Sequence, residues 1–93
     1  MSVELQEIRE KIQAIDKEII ELIAQRISYI PTIVSCKKEQ NLPVFQPERE
    51  KQLYEQYWQI ALEKKINPEL IREIFDRIIF ESTRLQEECR KNE

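Results

Sequence analysis

The chain has 93 residues, with 15 Lys and Arg against 18 Asp and Glu for a formal net charge of −3, 41% hydrophobic residues, no His and no Gly. One domain, residues 1–93, is expected from this length, and its core is too modest to exclude association with a second chain. Without Gly there is no phosphate-cradling or dinucleotide-binding loop; without His there is no Ser-His or Cys-His nucleophile pair, no imidazole base near neutral pH and no ordinary zinc site.

The pattern is helical from the start. Leu5, Ile8, Ile12, Ile15, Ile19 and Leu22 form an apolar seam with spacings that alternate between three and four, and strong helix formers fill the gaps. No breaker intervenes before Pro31, after which Ile33, Val34, Lys37, Lys38 and Glu39 resume a helical composition. One helix from about Ser2 to about Gln40 is expected, kinked at Pro31, where a lost backbone hydrogen bond costs roughly 3 kcal/mol.

Asn41 to Gln46 reads as a loop. Pro47 suits the first position of a second helix running to about Lys64, with Glu48 and Glu50 in its first turn and Leu53, Tyr54, Tyr57, Trp58 and Ala61 on its apolar face. Asn67-Pro68-Glu69 starts a third helix, whose stripe of Leu70, Ile71, Ile74, Phe75, Ile78 and Ile79 turns polar at Ser82. The expected fold is therefore all-α, with one long and two shorter helices per chain. At 1.5 Å per residue the long helix spans roughly 55 Å, too far to bury its seam against two shorter partners, so an intertwined homodimer is expected.

The remaining composition narrows the partners. Cys36 and Cys89 are too few for a disulfide framework and, with no signal peptide ahead of them, read as reduced thiols of a cytoplasmic protein. The apolar runs look far short of a membrane span, so no membrane is expected. The acidic balance argues against nucleic acid, and the third helix, with Glu69, Glu73, Asp76, Glu81, Glu87 and Glu88, is no basic recognition helix.

Several polar residues then stand where the apolar pattern would place core. Continuing the seam past Leu22 reaches Arg26, and Lys37, eleven residues on, returns to within about 20° of the same face and lies roughly 16 Å along the axis. Arg9 is about 100° away round the same helix and would reach such a cluster only from the other chain of an antiparallel dimer. Ser82 and Gln86 continue the apolar stripe of the third helix as an i, i+4 pair, and Arg49 and Glu50 open the second helix. Each alone also fits a solvated side chain or a helix end. Spacing by itself reaches no further than a helical dimer with an anion pocket.

The residues Ile8-Arg9-Glu10-Lys11-Ile12, Ile15-Asp16, Ile19 to Arg26, Lys37, Pro43-Val44, Pro47-Glu48-Arg49-Glu50 and Ile78 to Ser82 with Gln86 together resemble the all-helical class of chorismate mutases. The resemblance covers essentially the whole chain, with no appended regulatory or dehydratase region. It implies a Claisen rearrangement of chorismate to prephenate in aromatic amino acid biosynthesis, with no cofactor and no metal. By matching position, Arg26 and the partner chain's Arg9 would bind the two substrate carboxylates, helped by Ser82. Lys37 and Gln86 would hydrogen-bond the ether oxygen, Glu50 would contact the ring hydroxyl, and Arg49 would order that corner. Such a reaction needs no nucleophile or proton transfer, which suits a chain without His.

Three positions depart from the pattern. Gln46 stands near the ring hydroxyl where the bacterial family often has Asp, Pro31 lies between Arg26 and Lys37, and Cys36 adjoins the lysine. The same scaffold serves mutases of 4-amino-4-deoxychorismate and isochorismate-pyruvate lyases. Ser82 and the Arg49-Glu50 pair favour a mutase over a lyase, while a non-catalytic dimerisation module would leave Arg26, Lys37, Ser82 and Gln86 without a purpose.

Overall fold

The computed structural model describes residues 3–92 and contains four helical segments, α1 (Val3–Ser28), α2 (Ile30–Glu39), α3 (Pro47–Glu63) and α4 (Pro68–Lys91). The all-α expectation holds among the described residues. Ser2, the expected first residue of the long helix, lies outside them.

The long helix is present but divided at Tyr29. Pro31 has no N–H to offer the carbonyl of Ile27, and its ring crowds that carbonyl. Tyr29 accordingly relaxes to φ −85°, ψ −5°, its N–H reaching back three residues to the Arg26 carbonyl at 3.3 Å. Regular bonding resumes at once, from Ile33 N–H to the Tyr29 carbonyl at 3.0 Å. The interruption is mild enough that Val3–Glu39 continues as one 37-residue helix, and the molecule is 58 Å long against 28 and 15 Å in its other dimensions.

The other boundaries follow local chemistry. Pro47 and Pro68 each open a helix, and the Asn67 side chain accepts the Glu69 N–H at 3.0 Å, capping α4. Both α2 and α3 end in a left-handed residue, Asn41 at φ 56° and Lys65 at φ 59°. The next N–H then turns back to the last helical turn, Leu42 to the Lys37 carbonyl at 2.8 Å and Ile66 to the Ala61 carbonyl at 2.9 Å. Glycine is the usual occupant of these positions, and this chain has none.

The helices α3 and α2 both pack on α4. Tyr57 and Phe75 stack with ring centroids 4.7 Å apart, and the Tyr54 hydroxyl donates to Asp76 Oδ1 at 2.6 Å. The buried apolar residues are few: Ile30, Val34, Val44, Ala61 and Ile79. None lies on α1, whose seam from Leu5 to Leu22 is 39 to 63% exposed. Toward its C-terminal end it meets the rest of the chain, Ile23, Arg26 and Ile27 sharing a small cavity with Ile78, Glu81 and Ser82 of α4.

This long helix also corrects one expectation. Its most apolar 18-residue window averages a hydropathy of 1.3, so by length and composition it could cross a bilayer, although no single apolar run is long. The apolar residues are spread as a stripe interleaved with Glu21, Gln25 and Arg26, and a window average registers that stripe where uninterrupted runs do not.

Candidate active site

A cavity of about 440 Å³ opens where the end of α1, the end of α2, the α2–α3 loop, the start of α3 and the second half of α4 meet. Seven of the eight candidate residues lie on its wall: Arg26, Lys37, Gln46, Arg49, Glu50, Ser82 and Gln86. Arg26 and Lys37 therefore share a face despite the break at Tyr29, because the helical turn is lost for only one residue. Arg9 does not reach this wall. It stands seventeen residues before Arg26, about 25 Å along the helix.

The centre of the wall is a chain of hydrogen bonds joining three elements. Lys37 Nζ donates to the Val44 main-chain carbonyl at 2.6 Å and to Gln86 Oε1 at 2.8 Å, and Gln86 Nε2 donates to Ser82 Oγ at 3.1 Å. An ammonium only donates, so its contact with Gln86 fixes which way that amide is turned. Two of the three ammonium N–H groups and one of the two amide N–H groups are used in this chain, leaving each residue one donor to offer a ligand. Gln86 is 7% exposed, which rigidifies the amide and makes its bonding obligatory.

The ammonium of Lys37 is held below the usual lysine range. Burial is the largest cause, the like charge of Arg90 adds to it, and Glu50 opposes both. The cavity thus combines Arg26, Arg49 and Lys37 with one carboxylate, Glu50, and suits an anionic ligand with more than one negative group.

Four further features were not singled out from the sequence. The Val44 carbonyl is a main-chain group with no side-chain signal. Tyr57, expected on the apolar face of α3, is also a cavity wall; Thr83 follows Ser82 on the same wall. Arg90 stands one helical turn beyond Gln86 and binds the Leu42 carbonyl at 2.9 Å, a position that the i, i+4 step from Gln86 would have marked.

Comparison with known proteins adds an independent line. Residues 8–87, a span that holds all eight candidate residues, match the family described as chorismate mutase type II. The chain is 33% identical over 84 residues to a chorismate mutase of Methanocaldococcus jannaschii, covering 90% of this chain and 85% of that protein. It is 29% identical over 82 residues to the T-protein of Enterobacter agglomerans, covering 88% of this chain and 22% of the T-protein. A 4-amino-4-deoxychorismate mutase of Streptomyces pristinaespiralis is 27% identical over 84 residues, covering 90% of this chain and 65% of that enzyme.

Proposed function

Because the chain belongs to the chorismate mutase type II family and is an isomerase of that kind, we propose that its cavity rearranges chorismate to prephenate by folding the substrate and stabilising charge on its ether oxygen. The observation that carries this mechanism is the Lys37 ammonium bonded at 2.8 Å to the buried Gln86 amide on a cavity wall that also presents Arg26 and Arg49.

In the rearrangement the ring-to-ether C–O bond breaks while the enolpyruvyl methylene carbon bonds to the ring carbon bearing the carboxylate. The ether oxygen becomes the ketone oxygen of prephenate. Atoms and electrons balance within one molecule, so no proton, nucleophile or cofactor is required. What the protein supplies is a compact chair-like conformation and donors to the oxygen that gains negative charge. Lys37 and Gln86 are assigned to that oxygen, Arg26 and Ser82 to a carboxylate, Glu50 to the ring hydroxyl, and Arg49 to ordering that corner. An acceleration of about a millionfold corresponds to roughly 8 kcal/mol. Charge-assisted hydrogen bonds of about 1.5 to 3 kcal/mol each make a few fixed donors sufficient, if they strengthen toward the transition state.

The second carboxylate is assigned to Arg9 of a partner chain. The exposed α1 seam supports a homodimer, since a second copy would cover it and bring a distant arginine to the site. A second chain is favoured over a bilayer for the long helix because Glu21 and Arg26 interrupt its apolar window and Arg26 also lines the cavity. A cytoplasmic enzyme of aromatic amino acid biosynthesis is part of the same proposal, supported by free Cys36 and Cys89.

A second substrate is favoured by one feature. Gln46 lines the corner with Arg49 and Glu50, where an amide accepts from a ring amino group as readily as it bonds a hydroxyl. The Streptomyces relative makes 4-amino-4-deoxychorismate the analogue to try. Purified protein should therefore be offered chorismate, isochorismate and the amino analogue separately, with substrate loss and pyruvate release followed. Efficient conversion of chorismate without pyruvate is expected. Faster turnover of the amino analogue, shifted back toward chorismate by Gln46→Asp, would transfer the assignment to the second substrate.

A further inference from the structure

The loop between α2 and α3 has an unusual duty for a segment without glycine: it presents a main-chain carbonyl, that of Val44, to the ammonium at the centre of the cavity. What fixes that carbonyl lies outside the cavity. Leu42 is held on both sides, its N–H by the Lys37 carbonyl at 2.8 Å and its own carbonyl by Arg90 Nη2 at 2.9 Å. Between Leu42 and Val44 stands Pro43, whose ring locks its own φ and restricts the residue before it to extended conformations. Through so stiff a link, fixing the Leu42 carbonyl orients the Val44 carbonyl two residues on.

Arg90 is well placed for this. It follows Gln86 by one turn on the same face of α4, so one helix grips Lys37 through Gln86 and the loop through Arg90. A second cation near an ammonium is electrostatically unfavourable, and a neutral donor would avoid that. A guanidinium reaches further and binds with a rigid planar fork.

We propose that Arg90 is a positioning residue for Lys37, holding the α2–α3 loop so that the Val44 carbonyl fixes the ammonium and leaves its remaining N–H for the reacting oxygen. The proposal rests on the mutase mechanism above for its kinetic consequences but not for its structural ones. Lys37 is faced by Arg90 from α4, by Glu50 from α3 and, around the cavity, by Arg26 of α1 and Arg49 of α3, with Lys38 beside it on α2. Removing Arg90 therefore withdraws a like charge, which raises the proton affinity of Lys37, and loosens the loop, which weakens the Val44 bond to the charged ammonium and offsets part of that rise.

The test compares the full-length dimer or monomer, as purified, with Arg90→Leu and Arg90→Lys. Arg90→Leu is expected to lower kcat about tenfold, because a donor used in the transition state is misplaced, while KM stays within about twofold. The Lys37 titration, followed by NMR of its side-chain carbon in protein without substrate, should move upward in Arg90→Leu. In Arg90→Lys it should return toward wild type, with kcat only partly restored because the shorter, single-point head group holds the carbonyl less firmly. Pro43→Gly keeps Arg90 and softens the link, and should lower kcat several-fold, with a fall of several degrees in Tm from the greater freedom of the unfolded chain. Unaltered kcat and an unmoved Lys37 titration in Arg90→Leu would overturn the proposal, as would full activity of Pro43→Gly. Failure of the wild-type protein to convert chorismate would instead overturn the mutase mechanism, and the Lys37 titration would still decide the role of Arg90.

Discussion

The two halves of this chain are built on opposite plans. From Val3 to Leu22 the sequence is regular and the structure leaves it bare, with no buried residue on the whole of α1. From Arg26 onward the apolar pattern is broken by polar residues, and there the helices close around a cavity whose wall includes a buried glutamine. A regular pattern with nothing beneath it points outward, to another chain; an irregular one with partners at hydrogen-bond distance points inward, to a ligand. The comparison teaches that regularity and burial report on different things in the same protein.

The largest effect expected lies in the inward half. Lys37→Ala removes the only ammonium in the hydrogen-bond chain and leaves the buried Gln86 carbonyl without its donor. A loss in kcat of about a thousandfold is expected, in the range found when a preorganised donor to a developing oxyanion is deleted. Circular dichroism should show the helices retained, since Lys37 is at a helix end and only half-buried. An activity loss under tenfold would remove Lys37 from the reacting oxygen.

The outward half is broken by Arg9→Ala. If Arg9 serves a neighbouring chain's cavity, its loss should lower kcat/KM about a hundredfold, although it does not line the active-site cavity of its own chain. Mixing unfolded Arg9→Ala and Arg26→Ala chains and refolding them together should then restore about a quarter of wild-type activity, because random pairing gives half heterodimers with one intact site each. Lack of any recovery would confine each site to a single chain. Ile12→Glu, in the middle of the exposed seam, should shift sedimentation toward a monomer and abolish that recovery.

A smaller effect, in pH dependence, sharpens the inward half. Gln86 does not titrate, so wild-type kcat should stay flat from about pH 5 to 7.5. Lys37 acts as its charged form, and its folded pKa is depressed below the ordinary 10.5 by burial and Arg90. Activity should therefore be full below that lowered pKa and fall as pH rises through it, giving an alkaline limb earlier than a free lysine would. In Gln86→Glu the donor exists only when the carboxyl is protonated, so kcat at neutral pH should drop by about tenfold or more and recover on acidification. An unchanged profile would mean that Gln86 donates nothing to the reaction.

Much of this architecture was legible because its determinants are local. Pro47 and Asn67-Pro68 mark helix starts by chemistry that acts within one turn, and Pro31 marks the break at Tyr29 for the same reason. Seven cavity residues could be named because they interrupt an apolar period or match a family pattern. The Val44 carbonyl could not, since a main-chain acceptor has no residue type to betray it and depends on how a loop closes over forty residues away from Gln86. The cavity face of Tyr57 was hidden by its own hydrophobicity, which serves the stack on Phe75 equally well. The span-like hydropathy of the long helix shows only in an average over many residues, because its apolar residues form a stripe and not a run.

The smallest effect concerns a cost found only in the inward half, where the chain must turn. Asn41 and Lys65 both occupy the left-handed region, and no glycine is available to either turn. Asparagine visits that region comparatively easily, whereas lysine carries the full clash between Cβ and the carbonyl, about 1 kcal/mol or more. Lys65→Gly relieves that clash and gives back part of the gain through the greater freedom of the unfolded chain. A net stabilisation of about 0.5 kcal/mol is expected, read as a rise in denaturation midpoint with an unchanged slope. Asn41→Gly should gain less, because its starting residue is already the better tolerated one and its turn carries Leu42 between Lys37 and Arg90. If Asn41→Gly stabilised the protein more than Lys65→Gly, backbone strain would not be what separates these two turns.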